Sequence, residues 1–177
     1  KIHYRTLKII TKNKTYIKHY LSDHSIDILL LSETHFSDKS YLNVPGYFLY
    51  RTDHPIPGKA HGGTAILISN LVPHHELDKF ASPFIMATSI AVRLSSSKTI
   101  KISSIYCPPN KKGSVLEETH LRSLFDYLGD EFIAGGDWNA KHPSWFSHTA
   151  SLRGKMLSKI FSDKSIIPVS TTIPTHW

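Results

Sequence analysis

Short, β-branched apolar runs that end abruptly in polar residues are the feature that most constrains how this chain can fold. ILLL at residues 28–31 is followed by SETH, and FIA at residues 132–134 is followed by GGDWN. Runs of this length and composition favour β-strands over helices. The unbroken ILLL run further predicts a strand that is covered on both faces.

The whole pattern mixes strands with a few helices. The predicted strands are Leu7–Thr11, Ile26–Ser32, Tyr47–Tyr50, Thr64–Ser69, Ile85–Leu94, Thr99–Tyr106, Phe132–Gly135 and one near Ile166–Ser170. The predicted helices are Thr15–Ser22, Ser114–Leu128 and Arg153–Phe161, with Ser114 as an N-cap. Small and polar residues alternate with large apolar ones in Ile85–Leu94, which predicts a strand half-exposed to water. Hairpins mixed with helical crossovers predict an α/β sandwich.

Composition and charge narrow the class of partner. The chain has 177 residues, a formal net charge of +7 and a pI near 9.4. This length fits one domain, and the basic balance favours a polyanionic partner, with nucleic acid ahead of a membrane surface. No apolar run could span a bilayer and no secretory signal opens the chain, so we expect a protein of the nucleus or cytoplasm that is not secreted.

Cysteine and histidine usage excludes two kinds of structural stabilisation. Cys107 is the single cysteine, so no internal disulfide can form. The 12 histidines lack the paired spacing of a zinc site, which argues against structural zinc.

Polar side chains at the ends of several predicted strands are the candidate functional residues. Glu33, Tyr106, Asp137 and Asn139 each follow or end an apolar run. Each has an ordinary structural explanation: a solvated or capping carboxylate, a core aromatic residue with a wet hydroxyl, and common turn formers. Strand ends bring distant positions into one crevice, however, and two carboxylates, an amide and a phenol together match a hydrolytic site for a hard cation.

Several motifs in order carry a family resemblance. They are SETH at 32–35, GGTAILI at 62–68, SSIYCPPN at 103–110, GGDWNAKHPSW at 135–145, LRG at 152–154 and the terminal IPTHW. From about Leu7 to Trp177, the chain resembles the endonuclease/exonuclease/phosphatase superfamily. Within it, the resemblance is strongest to the apurinic-like endonuclease domain of non-LTR retrotransposons of the jockey-like kind.

The resemblance implies a fold, a reaction and a role for each candidate residue. The fold is a four-layer α/β sandwich, in which two mixed β-sheets pack face to face with helices outside, as in DNase I-like proteins. The reaction is hydrolysis of a DNA phosphodiester with Mg²⁺, or Mn²⁺ as the alternative. Glu33 would bind the metal, Asp137 would orient or deprotonate the attacking water, Asn139 would hold the phosphate or the water, and Tyr106 would donate to the phosphate.

The sequence departs from the family pattern near both ends. Asn13 aligns with the asparagine that the family uses at the metal site, but Lys12 stands where the family usually has tryptophan, and the interval to Glu33 is shorter. The chain ends at Trp177, before the family's last aspartate and its final Ser-Asp-His segment. We therefore expect a single domain over residues 1–177 that lacks its last strands, and one hypothesis is that it has little or no nicking activity.

Three functions follow as hypotheses. The first is an Mg²⁺-dependent endonuclease that nicks double-stranded DNA as a monomer, within a parent protein that also carries a reverse transcriptase. The second is a catalytically inactive DNA-binding remnant. The third is a phosphodiesterase of the same superfamily that acts on a phospholipid. Lys141, His142 and Arg153 flank the GDWN loop and are expected to contact DNA phosphates, although a solvated basic rim would look the same.

Overall fold

Two β-sheets account for the strands in the part of the chain that the structure describes. The structure is a computed structural model that describes residues 1–6, 14–56, 61–110 and 115–169. In these ranges the strands are β1 (Ile2–Thr6), β2 (Ile28–Ser32), β3 (Tyr47–Thr52), β4 (Thr64–Ser69), β5 (His74–Glu76), β6 (Phe80–Ala81), β7 (Met86–Arg93), β8 (Thr99–Tyr106) and β9 (Phe132–Asp137). The helices are α1 (Lys14–Asp23), α2 (Glu118–Leu128) and α3 (Leu152–Asp163), and a short 3-10 helix covers Pro143–Trp145.

The strand order makes both sheets mixed. In the first sheet the order is β1-β2-β4-β3, with β1 parallel to β2 and the other pairs antiparallel. In the second sheet the order is β5-β7-β8-β9, with β6 also on β7, and only the β8–β9 pair is parallel. The predicted α/β class, with two mixed β-sheets and helices, is confirmed.

The chain divides into two compact units. The first consists of Lys1–Pro108 and Tyr127–Trp138, and it contains both sheets and α1. The second consists of Pro109–Asp126 and Asn139–Trp177, and it contains α3 and most of α2. In the described ranges, none of the helices has the length and apolar character that crossing a bilayer requires.

Strand β2 is the centre of the first unit and is buried along its whole length, as its unbroken apolar run predicted. On one face, Leu29 and Leu31 pack in a cluster with Ile17 and Leu21 of α1. The opposite face belongs to a second apolar cluster, whose members are Ile28, Leu30, Ile66, Ile68, Ile90, Val92 and Ile102. Because these members come from both sheets, the sheets pack face to face.

A set of buried hydroxyl groups also joins the two sheets, and we call it the hydroxyl seam. It consists of Thr52, Thr64 and Thr88, none of which is more than 3% exposed. The Thr88 hydroxyl lies 2.8 Å from the Thr64 hydroxyl and 3.0 Å from that of Thr52. Buried hydroxyls are costly unless they are hydrogen-bonded, and these three satisfy one another across the interface.

Two predicted elements differ from the structure. Residues 166–169 form no strand: Pro168 lacks the N–H that a ladder needs, and Ile167 and Val169 are 84% and 95% exposed. Strand β7 is buried on both faces from Met86 to Val92, so the prediction of a half-exposed strand was wrong. Strands β1, β5 and β6 were not predicted.

Two other predictions fall outside the described residues: the strand Leu7–Thr11 and the N-cap Ser114. Helix α2 begins at Glu118 in the structure.

Candidate active site

Glu33 follows the last residue of β2 in a backbone conformation that side-chain-bearing residues seldom adopt. Its φ is 54°, and His35 two residues later has φ 50°. Backbone hydrogen bonds hold this segment: the Thr34 N–H donates to the Gly63 carbonyl at 3.3 Å, and the His35 N–H donates to the Gly62 carbonyl at 2.8 Å. Left-handed non-glycine residues persist only where their surroundings enforce them, and they cluster at functional sites.

The two glycines before β4 make this arrangement sterically feasible. Gly62 and Gly63 have φ values of 65° and 83°. A Cβ on Gly62 would lie 3.1 Å from the Tyr106 ring, and a Cβ on Gly63 would lie 2.6 Å from the Thr34 hydroxyl oxygen. Glycine is therefore needed at both positions, for its conformational freedom and for the close approach.

Tyr106, the last residue of β8, is 6% exposed and points its hydroxyl at Glu33. The O–H donates to Glu33 Oε1 at 3.1 Å. Burial raises the pKa of Tyr106 well above its usual value of 10.0, and the charge and hydrogen bond of Glu33, followed by the charge of Asp137, raise it further. The phenol therefore keeps its proton near neutral pH and remains a hydrogen-bond donor.

Asp137 ends β9 beside Tyr106. The two residues are partners in the parallel β8–β9 register, and the Cys107 N–H donates to the Asp137 carbonyl at 2.8 Å. The Asp137 side chain is partly exposed, as is that of Glu33. The first unit thus brings together three of the predicted residues, Glu33, Tyr106 and Asp137, at one set of strand ends.

Gly136 explains part of the GGD sequence that precedes this carboxylate. It pairs with Ile105, and a Cβ at Gly136 would lie 1.9 Å from the Ile105 carbonyl oxygen. The bare Cα therefore allows β9 to approach the backbone of β8 and sets Asp137 beside Tyr106.

The second unit holds four further predicted residues. Asn139 is exposed and has φ 45°, and Lys141 is exposed. His142 is half-buried; its Nδ1 accepts a hydrogen bond from the Ser144 N–H at 3.2 Å and caps the short 3-10 helix. Arg153 is only 4% exposed and lies in the first turn of α3.

The guanidinium of Arg153 faces two loops of the same unit. Its Nη2 donates to Asn110 Oδ1 at 2.7 Å, and its Nη1 donates to the Asn139 carbonyl at 3.4 Å. A DNA contact by Arg153 stays a prediction, but this burial favours a role inside the protein. Asn13 lies outside the described residues.

Sequence reasoning missed the contributions of Gly62, Gly63 and Asn110. The glycine pair was visible as a signal, because two consecutive glycines directly before an apolar strand indicate close backbone approach. Asn110 gave no such signal, because an asparagine after two prolines in CPPN is expected in any turn and does not indicate a buried partner.

The carboxylate oxygens of Glu33 and Asp137 suit Mg²⁺ better than zinc. In the described ranges, no group of three or more His, Cys, Asp or Glu side chains could enclose a metal. Mg²⁺ does not need such a group, because it retains several waters and binds through one or two carboxylates together with substrate phosphate. The partly exposed Glu33 carboxylate, fixed by Tyr106 and by its strained backbone, fits that manner of binding.

A comparison with protein-family models decides the family. The model of the endonuclease/exonuclease/phosphatase family matches residues 11–177, which is nearly the whole chain. The chain belongs to this family.

Proteins from mobile elements are among its relatives. This endonuclease/exonuclease/phosphatase chain is 32% identical over 168 residues to the RNA-directed DNA polymerase from mobile element jockey of Drosophila melanogaster. The match covers 95% of the chain but 18% of the relative, so the chain spans less than a fifth of the length of that protein.

Solved structures agree on the fold. The endonuclease domain of TRAS1, a telomere-specific non-LTR retrotransposon, superposes with a TM-score of 0.66 at 18% identity, over 91% of this chain and 70% of that one. The 3′ phosphatase NExo from Neisseria, bound to a product DNA hairpin, gives a TM-score of 0.56 at 16% identity, with the same two coverages. At such identities, this endonuclease/exonuclease/phosphatase chain shares a fold with both proteins.

Proposed function

We propose that this chain is a metal-dependent endonuclease domain that hydrolyses a phosphodiester bond and nicks double-stranded DNA. The observation that carries the proposal is the Tyr106 hydroxyl, which is kept protonated and hydrogen-bonded to Glu33 beside the Asp137 carboxylate. A buried donor and two carboxylates meet the needs of phosphodiester hydrolysis, which requires charge stabilisation at the phosphate and a base for the water.

Each residue has a distinct role in the proposal. Glu33 holds Mg²⁺, or Mn²⁺ in its place, and the bound metal supplies charge neutralisation at the phosphate. Asp137 orients the attacking water and accepts its proton at a carboxylate oxygen. Asn139 offers its amide N–H groups to the phosphate or to the water.

Tyr106 has a single O–H, which can donate to only one acceptor at a time. Without substrate the O–H donates to Glu33, at 3.1 Å. When DNA is bound, the same O–H turns to a phosphate oxygen, where negative charge develops in the transition state. A donor whose pKa is raised is suited to this exchange, because it does not lose its proton to the neighbouring carboxylates.

The basic character of the chain supports DNA as the substrate. The net charge is +7, and the exposed Lys141 and the neighbouring His142 would contact phosphates without reading sequence. The relatives are RNA-directed DNA polymerases of mobile elements. We therefore propose that the chain is the endonuclease part of a longer protein that carries a reverse transcriptase, and that it acts on DNA as a monomer in the nucleus or cytoplasm.

Nicking of supercoiled plasmid tests the function directly. The chain is incubated with Mg²⁺, with Mg²⁺ plus EDTA, and without added metal. Asp137→Asn is compared with Asp130→Asn, a control at an exposed aspartate, after circular dichroism has shown that both are folded. We expect relaxed circles from the wild type and from the control, and a loss of about 10²-fold or more with Asp137→Asn or EDTA.

Other results would reject the proposal in different ways. A folded wild-type chain that retains plasmid on a filter but never nicks it is a DNA-binding protein without catalysis. Release of the headgroup from phospholipid vesicles, with plasmid left intact, would assign the site to lipid phosphodiesters.

A further inference from the structure

The buried Arg153 needs explanation, because a charged group with 4% exposure is costly unless it is hydrogen-bonded. Its guanidinium reaches two segments distant in sequence, the Asn110 side chain and the Asn139 carbonyl, at 2.7 Å and 3.4 Å. The planar fork of arginine suits such a bridge, because its donors lie in fixed directions that lysine cannot reproduce.

Three consecutive carbonyls of the loop after β9 each accept a hydrogen bond from the same unit. The Asn139 carbonyl accepts from Arg153, the Ala140 carbonyl accepts from Trp145 Nε1 at 3.1 Å, and the Lys141 carbonyl accepts from the Ser151 N–H at 2.8 Å. We call residues 139–141 the Asn139 loop. Its backbone is thus held at every residue.

Residues at the start of α3 also hold this loop through hydrogen bonds and close packing. The Lys141 N–H donates to Ser151 Oγ at 3.0 Å, and Ser151 Oγ also caps the helix by accepting from the Gly154 N–H at 3.1 Å. A Cβ on Gly154 would lie 1.9 Å from the Lys141 carbonyl oxygen, so the loop lies directly on the helix backbone. Two residues of the LRG motif, Arg153 and Gly154, therefore contact the Asn139 loop.

We propose that Arg153 is a positioning residue, which fixes the Asn139 loop and the Asn110 side chain rather than binding DNA itself. The loop-holding part stands on the geometry alone, while its importance for catalysis rests on the proposed endonuclease function. With the backbone held at residues 139–141 and φ of Asn139 at 45°, the Asn139 amide is set before substrate arrives. Preset groups avoid reorganisation during the reaction, and a displacement of about 1 Å costs about 10²-fold in rate.

The test separates loop positioning from a phosphate contact by keeping the positive charge. Arg153→Lys retains the charge but loses the fork, and Arg122→Lys is the control in the same unit, where Arg122 pairs with Glu118 and Asp163 on the surface. For each variant, kcat and KM for plasmid nicking are measured at several salt concentrations. Amide hydrogen exchange is followed in the peptide that contains the Asn139 loop.

Positioning predicts a specific combination of results. Arg153→Lys should lower kcat about 10- to 100-fold with little change in KM or its salt dependence, and should speed exchange at the Lys141 amide about 5- to 10-fold. Arg122→Lys should change none of these. A rise in KM with unchanged kcat and unchanged exchange would instead make Arg153 a DNA contact and overturn the proposal.

Two further outcomes keep the tests independent. If the wild type never nicks DNA, the endonuclease function fails, while the exchange measurement still decides whether Arg153 holds the loop. If Arg153→Lys does not fold, Asn110→Ser takes its place, because it removes the 2.7 Å acceptor and leaves Arg153 intact. Because Arg153 keeps its bond to the Asn139 carbonyl in this variant, unchanged exchange in Asn110→Ser would show that the bridge from Asn110 to Asn139 does not hold the loop, and would overturn that part of the proposal.

Discussion

Replacing Gly136 with alanine is the sharpest test of how the strand ends are assembled. The new Cβ would lie 1.9 Å from the Ile105 carbonyl oxygen and 2.7 Å from its carbonyl carbon, whereas real Cβ atoms keep at least 3.0 Å. The obstacle is backbone, so no side-chain rotation relieves it. Strand β9 must therefore move away from β8 by about 1.1 Å, the difference between 1.9 Å and 3.0 Å.

The expected cost follows from that displacement. Forcing extra volume into a packed interior costs about 1–3 kcal/mol, and we expect the upper end because a backbone atom blocks the methyl group. The movement also shifts Asp137 relative to its register partner Tyr106. If Asp137 activates water, we expect nicking to fall about 10²-fold.

Gly46→Ala is the matched control in the same unit. Gly46 has φ 80°, but a Cβ added there would meet nothing within 4 Å, so alanine introduces backbone strain without a steric overlap. We expect it to cost about 1 kcal/mol of unfolding free energy and to leave nicking unchanged. Urea denaturation gives the free energies, and plasmid relaxation gives the activities.

One result would refute this reasoning. If Gly136→Ala is no less stable than Gly46→Ala and keeps full activity, then β8 and β9 do not approach as closely as described, and the glycine has no part in placing Asp137.

Three other substitutions probe separate features. Burial raises the pKa of Tyr106 in the native state. Between pH 10 and that raised pKa, the native phenol keeps a proton that the unfolded chain has lost, so the free energy of unfolding falls as the pH rises. Tyr106→Phe should therefore flatten the decline in urea stability above pH 10 by up to about 1.4 kcal/mol per pH unit, and an unchanged slope would contradict this. Gly63→Ala should lower the free energy of unfolding by about 1–3 kcal/mol. A double variant with Thr34→Ala should recover only part of this loss, because the φ of 83° remains, and full recovery would exclude backbone strain. Thr88→Val should lower stability by about 1–3 kcal/mol, and a melting temperature equal to that of the wild type would show that the Thr64 hydroxyl does not depend on it.

The elements that could be predicted are those whose pattern has a single physical interpretation. The runs that became β4 and β8 were predicted with their observed bounds, because β-branched residues between turn signals leave little choice. Strand β7 was misjudged because alanine and serine were taken as water-facing. They are small enough to be buried, and the Ser89 hydroxyl is satisfied inside the protein by the Ser103 hydroxyl, 2.7 Å away on β8.

The same limit applies to the candidate site. Glu33, Tyr106 and Asp137 were predicted as neighbours because each stands at the end of an apolar strand, and strand ends bring distant positions of the chain into one crevice. Arg153 was expected at the surface, since the sequence does not tell a buried arginine from an exposed one. That distinction depends on Asn110 and Asn139, which are 43 and 14 residues away along the chain.

The hydroxyl seam has a consequence for how the protein can change in evolution. Replacing Thr88 alone takes away the hydroxyl that lies 2.8 Å from that of Thr64 and leaves the Thr64 hydroxyl in a dry interface, whereas replacing both with apolar residues of similar shape removes the need for a partner and can be nearly neutral. The Thr88 hydroxyl keeps Thr52 and the Thr64 carbonyl as partners when Thr64 alone is replaced, so a change at Thr88 is disfavoured unless Thr64 has changed as well. Among related sequences, we expect these two positions to covary, although they lie in different sheets.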